Sequence, residues 1–291
     1  MRIFLLGNTG QLGWELERCL SLLGRVLAVD YPQVNLAEPD SLLPTLRAFQ
    51  PEVIINAAAY TAVDRAESES ELAMAINARG PGILMEEANR AGAPLIHYST
   101  DYVFDGSKGS PYVEEDVPNP LGVYGKSKLA GEQAVQQGDG AYLTLRTAWV
   151  YSLRRDSFVT KVLNWARSQP ELKIVADQVS NPTWARLLAE MTALILAQSR
   201  GEAFGWISER KGLYHLAGDG YGSRLEWGKA ILSLDPKPAE QVVKEVRPAL
   251  TAEFPTPAQR PLFSALNCER FKTTFGVSLP DWKSALKLAM T

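Results

Sequence analysis

Hydrophobic and polar positions alternate in two patterns along the first half of the chain. Short apolar runs rich in β-formers, Ile3–Leu6, Arg25–Val29, Val53–Ile55, Leu95–Tyr98 and Leu143–Arg146, have the length and continuity of buried strands. Between them lie longer stretches with helical spacing, Gln11–Leu23, Ser41–Phe49, Glu69–Ala91 and Lys126–Gln137. A strand followed regularly by a helix predicts a parallel sheet wound by right-handed crossovers, because a parallel neighbour can be reached only by crossing over the sheet face.

Beyond about residue 150 the pattern loosens. Phe158–Ser168 and Leu187–Ser199 read as helices with the short strand Lys173–Val175 between them, and prolines and glycines gather near Asn181-Pro182 and across Pro248–Pro261. The expected architecture is α/β: a Rossmann-like, doubly wound parallel sheet over residues 1–150, with a smaller C-terminal α/β substrate-binding lobe over 151–291. The boundary is approximate, and segments can cross it. A lobe closing over the sheet leaves a cleft.

Composition narrows what the cleft can serve. The 291 residues are 46% hydrophobic and 22% charged, with a formal net charge of -3, so nothing draws the chain as a whole to nucleic acid or acidic lipid. The N-terminus enters a strand at once, and no apolar run is long enough to span a bilayer, which predicts a cytoplasmic protein without a membrane partner. Cys19 and Cys268 are far apart and accompanied by only two histidines, so reduced thiols are expected rather than a disulfide or a thiolate zinc site.

The first strand runs into a turn with the spacing G-x-x-G-x-x-G, Gly7, Gly10 and Gly13, before the first helix. Glycines there let the backbone approach a pyrophosphate, and the helix start directs free N–H groups and a positive dipole end toward it. Gly7, Gly10, Gln11, Leu12 and Gly13 are therefore candidate cofactor contacts. Asp30, at the end of the second strand, is placed to accept from adenosine ribose hydroxyls, which favours NADH over a 2′-phosphorylated cofactor. After the third strand, Ala58, Ala59 and Tyr60 offer a backbone edge for the dinucleotide.

Tyr124 and Lys128 form Y-x-x-x-K at the start of a predicted helix, where residues four apart share a face. A phenol has a pKa near ~10, and a neighbouring ammonium lowers it toward the range useful for acid–base chemistry. Thr100, at the carboxyl end of a predicted strand, is placed to bond a substrate carbonyl beside Tyr124, and Asn77 to hold a water relaying protons to Lys128.

With these residues, and with the stretches Thr9–Glu15, Asn56–Asp64, Ser99–Phe104, Arg146–Tyr151 and Pro255–Pro261, the chain resembles the extended, sugar-nucleotide branch of the short-chain dehydrogenase/reductase superfamily. Within it the chain is similar to the dTDP-4-dehydrorhamnose reductase family over essentially its whole length. The resemblance implies reduction of a dTDP-4-keto-sugar by NADPH or NADH. It gives Tyr124 as proton donor supported by Lys128, Thr100 as the group orienting the carbonyl, and Thr100, Asp101 and Trp149 as sugar contacts. Some members place Mg²⁺ at a homodimer interface through acidic residues, and Glu15 matches one such position. In the D-Q-x-G-x-P-T loop of the branch, Ser180 stands where glycine is usual. Two other readings stay open: a dehydratase or epimerase of the same branch, which lacks support because Tyr102 follows Asp101 where dehydratases carry a second acid, and a non-catalytic regulatory subunit.

Overall fold

A computed structural model describes residues Met1–Thr291. β1 (Arg2–Leu6), β2 (Arg25–Val29), β3 (Val53–Asn56), β4 (Leu95–Thr100) and β5 (Tyr142–Thr147) join the strand Gly212–His215 in one six-stranded sheet. The spatial order is Gly212–His215, β5, β4, β3, β1, β2, and every pairing is parallel. The winding reverses at β1, which has β2 on one side and β3 on the other. The carboxyl ends of β1 and β3 therefore flank a crevice that no crossover covers.

Both faces of the sheet are buried, which is why its strands read as continuous apolar runs. Ile3, Leu5, Val53, Ile55, Leu143 and Leu145 pack against α1 (Gln11–Leu20), the helix Ala185–Ala197 and Phe271. The alternate positions Phe4, Leu6, Ile54 and Leu95 pack against α2 (Pro39–Phe49) and the helix Gly80–Ala91.

Several element ends differ from expectation for local reasons. α1 stops at Leu20, where the chain turns back toward β2 through a bond from Leu23 N to Leu20 O of 2.9 Å. α2 begins at Pro39, in the first turn of a helix, where the missing N–H has no intrahelical partner to lose. The single helix expected over Glu69–Ala91 is three consecutive segments, Ser70–Met74, a π-helical turn Ala75–Arg79, and Gly80–Ala91.

A second core gathers Tyr151 of the strand Val150–Tyr151 with Val159, Trp227, Trp282 and Leu286 from the helices Phe158–Ser168, Arg224–Ser233 and Trp282–Met290. The parallel pair Glu171–Val175 and Glu245–Ala249 flanks it. The chain crosses residue 150 in both directions. Gly212–His215 pairs with β5, and Ala185–Ala197 covers α1, so segments of the second half complete the first core. Both cysteines are free, and no helix is long and apolar enough to cross a membrane.

Candidate active site

A cavity of about 850 Å³ opens at the crevice and runs from the β1–α1 turn to Trp149. Its near end is made of backbone. Gly7 has φ +88°, and a Cβ there would meet Ala58 N at 2.6 Å. A Cβ on Gly13 would drive into the Gly7 carbonyl. The turn is thus packed against the start of α1 and the loop after β3 in a way only glycine permits. Gly10 caps α1 without a side-chain bond, so the helix's first amides are free to take an anion, and Gln11 Oε1 is buried without a partner. Gly7, Gly10, Gln11 and Leu12 line the cavity, and Gly13 lies behind them. This arrangement fits a dinucleotide diphosphate.

Asp30 also lines the cavity, but its carboxylate is engaged. Thr9 donates to Oδ2 from its N–H at 3.0 Å and from its hydroxyl at 2.5 Å, and Tyr31 N donates to Oδ1 at 2.8 Å. The carboxylate shapes the turn while keeping lone pairs for a ribose. Ala58 and Ala59 line the opposite wall, whereas the Tyr60 phenol turns away to donate to Glu69 at 2.5 Å. Only the backbone of Tyr60 stays near the cleft, fixed by Asn77. Asn77 accepts from Tyr60 N at 2.8 Å and donates to Tyr60 O and to Ser127 Oγ, both at 3.0 Å. Its side chain ties the β3 loop to the helix Val123–Gln137, with both amide hydrogens engaged and one Oδ1 lone pair left over. The π-helical turn allows this, since the widened turn aims Asn77 at both partners at once.

Tyr124, Lys128 and Thr100 converge at the middle of the cavity. Lys128 does not bond the phenol; its Nζ donates to Tyr98 O at 2.6 Å, and burial lowers its pKa to about 8. Burial raises the Tyr124 pKa, and the Thr100 hydroxyl opposes that shift. The expected lowering of the phenol by Lys128 is not seen; desolvation sets the shift, and the nearby Asp101 and Tyr102 add to it. The result suits an acid, because Tyr124 holds its proton at neutral pH.

The far end is built from side chains of distant segments. The Asp101 carboxylate is buried, accepting from Ser180 Oγ at 3.0 Å, Ser264 Oγ at 2.5 Å and Thr100 Oγ1 at 3.2 Å. Burial lifts its pKa to about 6 against those hydrogen bonds. Ser180 has no left-handed backbone, so the loop does not need the usual glycine; its hydroxyl serves Asp101 instead. Trp149 sits at φ +41°, a left-handed conformation costing about 1–2 kcal/mol in a bulky residue, held by Thr183 N donating to its carbonyl at 3.2 Å. Its half-buried indole stacks on Trp227, with centroids 5.5 Å apart, and still lines the cavity. It is a wall and a core residue together.

Sequence reading missed Arg224. Its guanidinium lies 3.6 Å from the Trp149 ring centroid and pairs with no carboxylate. Burial lowers its pKa to about 10, partly offset by Tyr102 and Asp101. Arg260, paired with Asp64 at 2.7 Å, also faces Tyr102. The signal available was the capping box Ser223-x-x-Glu226, which marks a helix start and puts Arg224 in its first turn.

Glu15 lies in a separate groove with Arg18, Arg154 and Arg186, and Glu190 is the only other acid there. No group of three His, Cys, Asp or Glu side chains is gathered anywhere in the chain. One protomer brings two carboxylates, Glu15 and Glu190, to this groove, so the interface Mg²⁺ that the resemblance implies would need further oxygen ligands from a second copy.

Residues 1–291 match the family model described as RmlD substrate binding domain. A dTDP-4-dehydrorhamnose reductase of Burkholderia thailandensis is 42% identical over 294 residues, covering 100% of this chain and 98% of the relative. The crystal structure of a dTDP-4-dehydrorhamnose reductase from Clostridium acetobutylicum superposes with a TM-score of 0.90 at 35% identity, covering 100% and 98% of the two chains. One from Bacillus anthracis, in complex with NADP, gives 0.89 at 31% identity, covering 99% and 97%.

Proposed function

Because the chain belongs to the family described as RmlD substrate binding domain, we propose that it reduces the C4 keto group of dTDP-6-deoxy-L-lyxo-4-hexulose with NAD(P)H, giving dTDP-L-rhamnose. The observation that carries the reading is the convergence of Thr100, Tyr124 and Lys128 on one cavity that starts at a glycine turn built for a diphosphate.

The cofactor supplies a hydride to the keto carbon when bound. The rest is done by this chain's residues. The Thr100 hydroxyl, which accepts from Tyr102 N at 3.2 Å, turns its one proton from Asp101 to the carbonyl oxygen and orients it. Tyr124 gives its proton to the developing alkoxide. A buried phenol with a raised pKa is a weak acid, so the nearby ammonium of Lys128 matters for stabilising the charge left on it. Lys128 keeps two donors beyond its bond to Tyr98 O, enough to bond a ribose hydroxyl and to pass on a proton. Trp149 provides a flat wall for the sugar. Arg224 and Arg260 bring positive charge to the substrate end, where the diphosphate of a sugar nucleotide would be recognised. Asp101 holds Ser180 and Ser264, and through them the two loops that frame the sugar.

Asp30, Tyr31, Val34, Asn35 and Leu36 line the adenosine end with no cation among them, which supports a preference for NADH over NADPH. The homodimer that the family resemblance implies has its best surface on the groove of Trp14, Leu22 and Leu194 beside Glu15 and Glu190; sedimentation with added Mg²⁺ and with a chelator tests both the dimer and its dependence on the ion. The decisive experiment on the activity supplies the keto-sugar nucleotide from dTDP-glucose through a dehydratase and an epimerase. Stoichiometric oxidation of NAD(P)H is expected, and a protein that leaves the cofactor unconsumed overturns the reading.

A further inference from the structure

The segment Leu153–Asp156 bridges the two ends of the cleft. It leaves the sugar wall just after Val150–Tyr151 and enters the helix Phe158–Ser168, whose cap Ser157 donates back to Ser152 O at 2.9 Å and closes the loop on itself. Arg154 reaches the first turn of α1, with its guanidinium 4.5 Å from the Trp14 ring centroid, on a ring that Arg18 also approaches at 3.2 Å. Arg154 shares a small recess with Asn8 and Thr9 of the glycine turn. This docks the strap at the level where a diphosphate would lie.

Arg155, the next residue, lines the cofactor cavity. It has no carboxylate partner, and the adjacent acid Asp156 is taken by Lys161 at 3.2 Å. Lys128 and Arg155 are the two cationic side chains facing this cavity, and Lys128 is at the catalytic middle. A dinucleotide diphosphate carries two negative charges, and a helix N-terminus offers only about half a positive charge. We infer that Arg155 is the side-chain clamp on the cofactor's diphosphate, and that cofactor binding draws the strap Leu153–Asp156 onto the cleft. The inference rests on the cofactor reading above. The sugar nucleotide's own diphosphate has a separate pair of arginines, Arg224 and Arg260, at the other end.

The test is equilibrium binding of NADH, ADP-ribose and dTDP to the wild-type chain, Arg155→Gln and Arg155→Lys. Titrations at about 50 mM and about 300 mM salt separate charge from shape, because screening shortens over that range. Arg155→Gln should raise the Kd for NADH and ADP-ribose about tenfold at low salt, the scale of one charge-assisted hydrogen bond. It should also flatten their salt dependence. Arg155→Lys should keep most of that dependence, and dTDP binding should be unchanged in both variants. Equal NADH affinity in Arg155→Gln and wild type overturns the clamp while leaving the cofactor site standing. Weakened dTDP with unaltered NADH also overturns it and moves the guanidinium to the substrate. A wild-type chain that binds neither NADH nor NADPH removes the cofactor reading itself.

Discussion

The two ends of the cleft are made in opposite ways. At the β1–α1 turn the surface is backbone: glycines, free amides and a helix start, all within a few residues of sequence. At the Trp149 end the surface is side chains, with Thr100, Asp101 and Trp149 lining the cavity and Ser180, Arg224 and Ser264 packed behind them from far along the chain. A backbone site serves a ligand portion common to many enzymes and tolerates little change. A side-chain site can be rewritten one residue at a time, and this one is built around a single buried carboxylate, Asp101.

Between the two ends lies the chemistry, and breaking it should have the largest effect. Tyr124→Phe keeps the ring but removes the proton, and turnover should fall at least ~10²-fold while NADH affinity holds. Near-normal turnover in that variant would falsify the assignment. Arg224→Met sharpens the contrast by removing from the far end a half-buried cation that pairs with no carboxylate. We expect KM for the sugar nucleotide to rise roughly 10–100-fold, on the scale of a charged hydrogen bond to phosphate. NADH binding should be unaffected, and the melting temperature should stay level or fall slightly, since methionine keeps the packing on Trp149 and Trp227 but gives up the cation–π contacts. A lower melting temperature with an unchanged KM would make Arg224 a packing residue.

The next difference is in pH response. The folded Asp101 pKa of about 6 lies above its ordinary 3.8, so this carboxyl stabilises the fold below about pH 4 and loses that contribution as pH rises through 6. Thermal melts from pH 4 to 7 should show a decline that Asp101→Asn lacks; superimposable curves would rule out this origin. The smallest expected effect is at the near end. Asp30→Ala should shift the ratio of NADH to NADPH affinity several-fold toward NADPH, as a ribose acceptor and a repelling charge go together. Titration of both cofactors into both proteins reads it, and an unchanged ratio confines Asp30 to its bonds with Thr9.

The same asymmetry governs what could be read before folding. Gly7, Gly13 and the strand–helix alternation are local, so their spacing carried the parallel sheet and the diphosphate turn. Tyr124 and Lys128 share one helix turn and were legible for that reason. Arg224 was not, because its meaning depends on Trp149 and Asp101, each more than seventy residues away. Ser180 looked like a departure from a glycine pattern until the fold gave its hydroxyl a carboxylate. Asn77 was found, but its bonds to Tyr60 and Ser127 depend on a π-helical turn that hydrophobic spacing does not reveal. The strand Gly212–His215 escaped because four residues after a helix carry too short a pattern.

That last strand has a consequence for how the protein comes into being on the ribosome. The sheet is finished only when residue 215 pairs with β5, and the core beneath it waits for Phe271 and Phe275 near the end of the chain. A nascent chain released at residue 150 would present β5 as a bare edge, with Leu143 and Leu145 short of the residues that cover them. Most of synthesis therefore precedes stable folding, and the long interval with an open strand edge is one in which a chaperone has something to hold.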